Sequence, residues 1–204
     1  MQMPGPVERF GYNVLNSPRT EGKTPMEELV DIYGKDRVRT GEARPRKGLF
    51  LQEGEYMLYA LALIENARGE FLITQRALDK SWGAGWWEVS GGGVLSGETP
   101  QQAIVREVAE ETGLDVSREL LVPVYSYENV DLARGDNYLV DIFHFHMNVT
   151  PEAVTLQDSE AIDFKFASWA DISALAEKGT FLHYERLRQA LQAEGDNRAS
   201  GRDE

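Results

Sequence analysis

The stretch from Gly92 to Leu114 constrains this chain most, because it marks both ends of a helix and loads one face with like charge. Thr99 and Gln102 form a Thr-x-x-Gln capping box, Pro100 takes the first helical position, where its missing N–H costs nothing, and Gly113 supplies the stop. At roughly 100° per residue, Glu110 and Glu111 fall about 60° to one side and 40° to the other of Glu107, so three carboxylates share a face. Val105, Val108 and Ala109 fall on the opposite side and are expected to anchor the helix to a sheet, leaving the acidic face outward. Like charges at these spacings cost stability unless solvent screens them or a cation neutralises them. An acidic surface helix meets the first condition and a metal site the second, and the helix alone does not choose between them.

The spacing around the helix shifts the balance. Gly92, Glu98, Arg106, Glu107, Val108, Glu110, Glu111, Gly113 and Leu114 fill every specified position of G-x5-E-x7-R-E-U-x-E-E-x-G-U, where U is apolar. A chance match in a chain of this length is rarer than about one in a million. The stretch resembles the loop–helix–loop signature of Nudix hydrolases, and Trp87 to Gly92 resembles the strand that enters it, with Ser90 where the family often has proline.

The resemblance implies an α/β (α+β) fold, a mixed β-sheet sandwiched between helices. It also implies divalent cations, magnesium or alternatively manganese, held by Glu107, Glu110, Glu111 and the backbone carbonyl of Gly91. Glu107 and Glu111 become the catalytic carboxylates of the box, with Glu98 and Arg106 orienting them through hydrogen bonds, although simple helix salt bridges would use the same pair. The implied reaction is hydrolysis of a diphosphate linkage in a nucleoside diphosphate linked to a variable group X, or in another organic diphosphate. The alternative is a non-catalytic Nudix-fold module that binds a nucleotide or a protein, and the intact carboxylates argue against it.

Composition sets the outer limits. The 204 residues suit one domain with tails, and the apolar share of 42% suffices for a packed core. The net charge of −13 disfavours bulk nucleic-acid binding, while carboxylates can concentrate hard cations where several converge. The absence of cysteine excludes disulfides, thiolate zinc sites and cysteine nucleophiles. The longest apolar run, Tyr56 to Ile64, is too short to cross a bilayer and Met1 to Leu15 lacks a signal-peptide pattern, so a cytoplasmic protein without membrane contact is expected.

The expected organisation is an N-terminal tail over 1–25, a domain over 26–193 and a polar C-terminal tail over 194–204. Glu28 to Tyr33 reads as a strand, and the basic Lys35 to Lys47 as an irregular strand and loop. Tyr56 to Glu65 and Glu70 to Gln75 read as a hairpin about Asn66-Ala67-Arg68-Gly69. Leu120 to Tyr127, Tyr138 to Val149 and Ile162 to Ala167 read as further strands. Ser168 with Asp171 caps a short helix, and Phe181 to Ala193 forms a last one.

The order of segments from Met26 to Val116 is also similar to the Nudix branch related to isopentenyl diphosphate isomerase. That likeness assigns Arg76 and Lys80 to substrate binding, as charges beside a diphosphate, while a surface pair is the plain reading of the same residues. Isomerase chemistry itself is not expected, because it uses a cysteine that this chain lacks. Glu160 is the candidate base from a late loop, with Asp158 as runner-up and an ordinary loop acid as the plain reading. His144 and His146 share one strand face, which would suit a metal pair but equally suits ordinary hydrogen bonding, with Phe143 and Phe145 on the other face. His183 carries no signal. Trp82, Trp86 and Trp87 could stack on a substrate ring or pack in the fold. The substrate is expected to be a small molecule, and a homodimer is admissible because many relatives pair.

Overall fold

The computed structural model describes residues 28–157 and 159–200, so the 1–25 tail, Asp158 and residues 201–204 lie outside the described residues. A two-stranded antiparallel sheet pairs β1 (Leu29–Tyr33) with β2 (Arg39–Pro45). The main sheet comprises β3 (Met57–Glu65), β4 (Phe71–Arg76), β5 (Trp87–Glu88), β6 (Ser90–Gly93), β7 (Tyr125–Asn129), β8 (Tyr138–His146) and β9 (Ala161–Ala167). Its path runs β5-β4-β3-β8-β7, with β6 on β3 and β9 on β4. The helices are α1 (Pro100–Thr112), α2 (Trp169–Glu177) and α3 (Tyr184–Ser200).

The centre is the parallel pairing of β3 with β8, in register from Met57↔Tyr138 to Glu65↔His146. Both strands carry apolar side chains on both faces, as a doubly covered sheet requires, with Asp141, His144 and His146 the polar exceptions on β8. Ala60, Ala62 and Ile64 of β3 and Phe143 and Phe145 of β8 pack under Ile104 and Val108 of α1. Leu61, Leu63 and Ile142 face the other way, onto Ile172 of α2 and Leu187 and Ala190 of α3. The sheet is mixed and lies between helices, as expected. Alpha1 has both expected ends: the Thr99–Gln102 capping box is closed in both directions and Gly113 stops the helix at φ 72°.

Several details correct the sequence reading. The hairpin survives only at its tip, where Asn66 Oδ1 accepts from the backbone N–H groups of Arg68 and Glu70, and β3 meets β4 at Glu65↔Phe71. Beyond it β6 and β8 flank β3 while β9 and β5 flank β4, so each buried strand is paired along its length by other partners. Strand β7 begins at Tyr125 rather than Leu120, because Pro123 has no ladder donor. Strand β8 ends at His146, short of Val149. Ala109 is exposed, and the buried residues of α1 are Ala103, Ile104, Val108 and Thr112.

Helix α3 begins later and ends later than expected. Phe181 bridges to Trp87 and the Leu182 N–H donates to the Trp87 carbonyl at 2.9 Å, which holds these residues against β5 until His183, at φ 61°, turns the chain into the helix. At the other end Glu194 starts no tail: its carboxylate meets His144 and Arg198, and the helix continues to Ser200.

Candidate active site

The expectation that the acidic face of α1 looks outward is wrong for two of its three carboxylates. Glu110 is exposed, but Glu107 and Glu111 turn under the helix onto β6, where the chain carries three glycines. A Cβ on Gly92 would stand 2.2 Å from Glu107 Oε1, and one on Gly91, at φ 154°, would stand 2.3 Å from the Ala60 carbonyl. Gly92 therefore makes the space in which the Glu107 carboxylate lies, and Gly91 lets β6 approach β3 closely. The Gly91 N–H donates to Glu111 Oε2 at 3.2 Å.

Arg106 organises the rim. Its Nε and Nη2 grip both Glu98 oxygens at 2.8 and 2.9 Å, its Nη1 donates to Glu107 at 2.8 Å and Glu110 at 3.3 Å, and its Nη2 also donates to the Gly93 carbonyl at 3.1 Å. Glu98 in turn accepts from the Leu95 N–H at 3.0 Å. These contacts join Glu98 and Arg106 to Glu107 in the geometry that an orienting role and a plain salt-bridge network share, and the bidentate fork fixes the plane of the guanidinium.

Electrostatically the groove keeps a negative surplus. Burial, then the charges of Glu107, Glu88 and Glu160, hold the Glu111 carboxyl well above the usual carboxylate range. Burial also raises Glu107, against the opposing pull of Arg106, and raises Glu88 against Arg76. Glu88 was not singled out from sequence, because a lone acid on a two-residue strand carries no spacing signal. Its place opposite the box acids is set by the β4–β5 pairing Thr74↔Glu88.

Beside the groove opens a cavity of about 550 Å³ whose wall includes Arg46, Arg76, Tyr59, Tyr127, Glu88 and Gly91. Arg76 reaches Glu88 at 2.7 Å and lies over the Trp82 ring, 6.0 Å from its centroid. Arg46 stands 5.8 Å from the Tyr59 centroid, and Arg186 stands 4.6 Å from that of Tyr127. Of the expected substrate-binding pair, Arg76 lines the cavity, whereas Lys80 is ion-paired to Glu160 beside it. Among the tryptophans, Trp82 lines the cavity, Trp86 lies 6.3 Å from it ring to ring, and Trp87 packs on the core with Lys165 over its face.

Most of the cavity wall escaped the sequence reading, Arg46 and His183 included. Arg46 sits in the basic segment taken as an irregular loop, and His183 precedes α3. Burial, aided by Arg76, lowers His183 to about 4, so it is neutral at physiological pH. His144 and His146 do converge with Glu65, at the far end of β3 and β8 from this cavity.

Residues 55–190 match the family model of the NUDIX domain. An uncharacterised Nudix hydrolase of Listeria monocytogenes is 33% identical over 165 residues, 80% of this chain and 93% of that protein. The isopentenyl-diphosphate Delta-isomerase of Corynebacterium diphtheriae is 39% identical over 77 residues, 35% of this chain and 42% of the isomerase. A crystal structure from Deinococcus radiodurans superposes with a TM-score of 0.66, at 18% identity, over 80% of this chain and 99% of that one. No helix among the described residues is long and apolar enough to cross a membrane.

Proposed function

This chain belongs to the Nudix hydrolase family and is a diphosphate hydrolase, and from that premise we propose a magnesium-dependent cytoplasmic enzyme for a nucleoside diphosphate linked to a group X, or a related organic diphosphate. The observation that carries this reading is the buried Glu111 carboxylate, set among Glu107, Glu88 and Glu160 next to an arginine- and aromatic-lined cavity.

The donor set fits a hard divalent cation. Glu107, Glu111 and, at the rim, Glu110 offer carboxylate oxygens, and the Gly91 carbonyl lies on a strand with no side chain in the way. The cation, when bound, neutralises diphosphate oxygens and lowers the pKa of a coordinated water.

The rest falls to the chain itself. Arg106 holds Glu107 in place through a guanidinium that Glu98 grips on two sides. Arg76 faces the diphosphate from the cavity wall, and the rings of Trp82 and Tyr127 offer apolar faces to the organic part. Glu160, ion-paired to Lys80 at the groove's edge, is the general base, and its backbone carbonyl accepts from the Ala77 N–H at 2.9 Å. Isomerase chemistry is not expected, because the chain lacks the cysteine which that chemistry uses.

The test is product release from a panel of diphosphate compounds with and without magnesium, for the natural chain and for Glu111→Gln. Release that needs both the ion and Glu111 supports the hydrolase, and the fastest compound identifies X. Tight nucleotide binding without cleavage would instead favour the binding module. Glu160→Gln is expected to slow turnover about 10²-fold, and a change under about threefold removes Glu160 as the base.

A further inference from the structure

At the opposite end of the sheet from the cavity, β3 and β8 finish side by side, with Leu63↔His144 and Glu65↔His146 in register. Residues 65, 144 and 146 share the α3 face, because Ile142 on the same side packs against that helix while Phe143 and Phe145 pack under α1. Helix α3 covers this end through Glu194 and Arg198.

The His144 side chain is 3% exposed, and its Nδ1 is 2.6 Å from Glu194 Oε2. With a carboxylate accepting there, Nδ1 carries the hydrogen and Nε2 presents a lone pair. That Nε2 is buried and has no hydrogen-bond partner among the described residues, although Glu65 Oε2 lies 2.9 Å away. His146 Nδ1 approaches the same oxygen at 3.1 Å, and the three atoms all lie within 4.8 Å of one another. An imidazolium clamped between two carboxylates would align both of its N–H groups, and here only Nδ1 is aligned.

We propose that Glu65, His144 and His146 form a second metal site, for a divalent transition ion of the zinc class, separate from the box carboxylates. For metal–ligand bonds of roughly 2.0–2.1 Å, neighbouring ligand atoms stand roughly 2.9 Å apart in an octahedral shell and roughly 3.3 Å in a tetrahedral one. The two separations at Glu65 Oε2 match these edges. Two imidazoles and one carboxylate select a borderline ion over magnesium, which takes an all-oxygen shell. Glu194 plays the carboxylate behind a ligating histidine. The His146 side chain is 48% exposed, so water or another small ligand reaches the remaining positions.

Among the described residues, Arg198 is the contact that must yield. Its Nη2 lies 2.9 Å from His146 Nε2 and 2.5 Å from Glu194 Oε1. When Nδ1 ligates, Nε2 carries the hydrogen and turns from Arg198 to Glu194 Oε1, now 3.8 Å away. A site of this design therefore gains, or at least does not lose, when Arg198 is removed.

The test uses the full chain carrying Glu111→Gln, so that the box does not compete, and follows Zn2+ by calorimetry and Co2+ by its visible ligand-field bands. One saturable site with nitrogen-ligand bands is expected. His146→Ala, at a half-exposed position that leaves folding intact, should weaken it at least about tenfold, and Arg198→Ala should leave it equal or tighter. No saturable binding up to about 1 mM, or binding that His146→Ala changes by less than about threefold, would overturn the proposal. Magnesium-dependent turnover of the natural chain reports on the box alone, so the two readings fail separately.

Discussion

Two regions meet at β6 and handle charge in opposite ways. In the groove under α1, Glu107 and Glu111 lie part-buried against β6, and Arg106 is already shared by Glu98, Glu107 and Glu110. On the cavity wall beside it, Arg46 and Arg76 each have one carboxylate, Glu28 and Glu88, and spread the rest of their charge over an aromatic face. The first region keeps a negative surplus that a divalent cation would discharge, and the second keeps positive donors free for phosphate oxygens. An acidic chain can thus hold an anionic substrate without a basic overall charge.

The contrast can be broken from either side. Gly92→Ala should have the largest effect, because its Cβ would push Glu107 from its place; turnover is expected to fall about 10²-fold or more with the fold retained by circular dichroism. Arg106→Ala leaves Glu98 and Glu107 partly buried without their partner, and chemical denaturation should report a loss of about 3 kcal/mol. On the wall, Arg76→Ala is expected to raise KM about tenfold with a smaller change in kcat, which initial-rate kinetics would separate.

The smallest expected effect sharpens the electrostatic side. Glu111 titrates in the folded chain above its ordinary value of 4.5, so between the two values the folded state holds a proton that the unfolded state has released. Metal-free stability should therefore fall as pH rises through that window. Glu111→Gln should reduce this slope, leaving the share of Glu107 and Glu88, and raise the metal-free Tm at pH 7 by about 2–4 °C, read by thermal melts across pH.

The same contrast explains how much could be read in advance. The groove is written in one run of chain, where helix caps, glycines and i,i+3 and i,i+4 spacing are local, so Glu98, Arg106, Glu107, Glu110 and Glu111 were legible as a unit. Even there the wheel misjudged direction, since Gly92 leaves room for Glu107 and the Gly91 N–H donates to Glu111, so both turn onto β6. The wall gathers Arg46, Tyr59, Arg76, Tyr127 and His183 from segments that only strand pairing brings together. No local pattern marks such residues. The helix boundaries of α3 failed for a related reason: its last turns are held by Glu194 against His144, a contact between distant parts of the chain.

The central claim is that the carboxylates between β6 and α1 hold the catalytic cation. Its most direct test is the shift of Tm with added magnesium, measured for the natural chain and for Glu111→Gln. The account predicts a saturable rise for the natural chain, following the ion's binding to the folded state, and no comparable rise for the variant. Equal shifts in both proteins, or none in either, would contradict it.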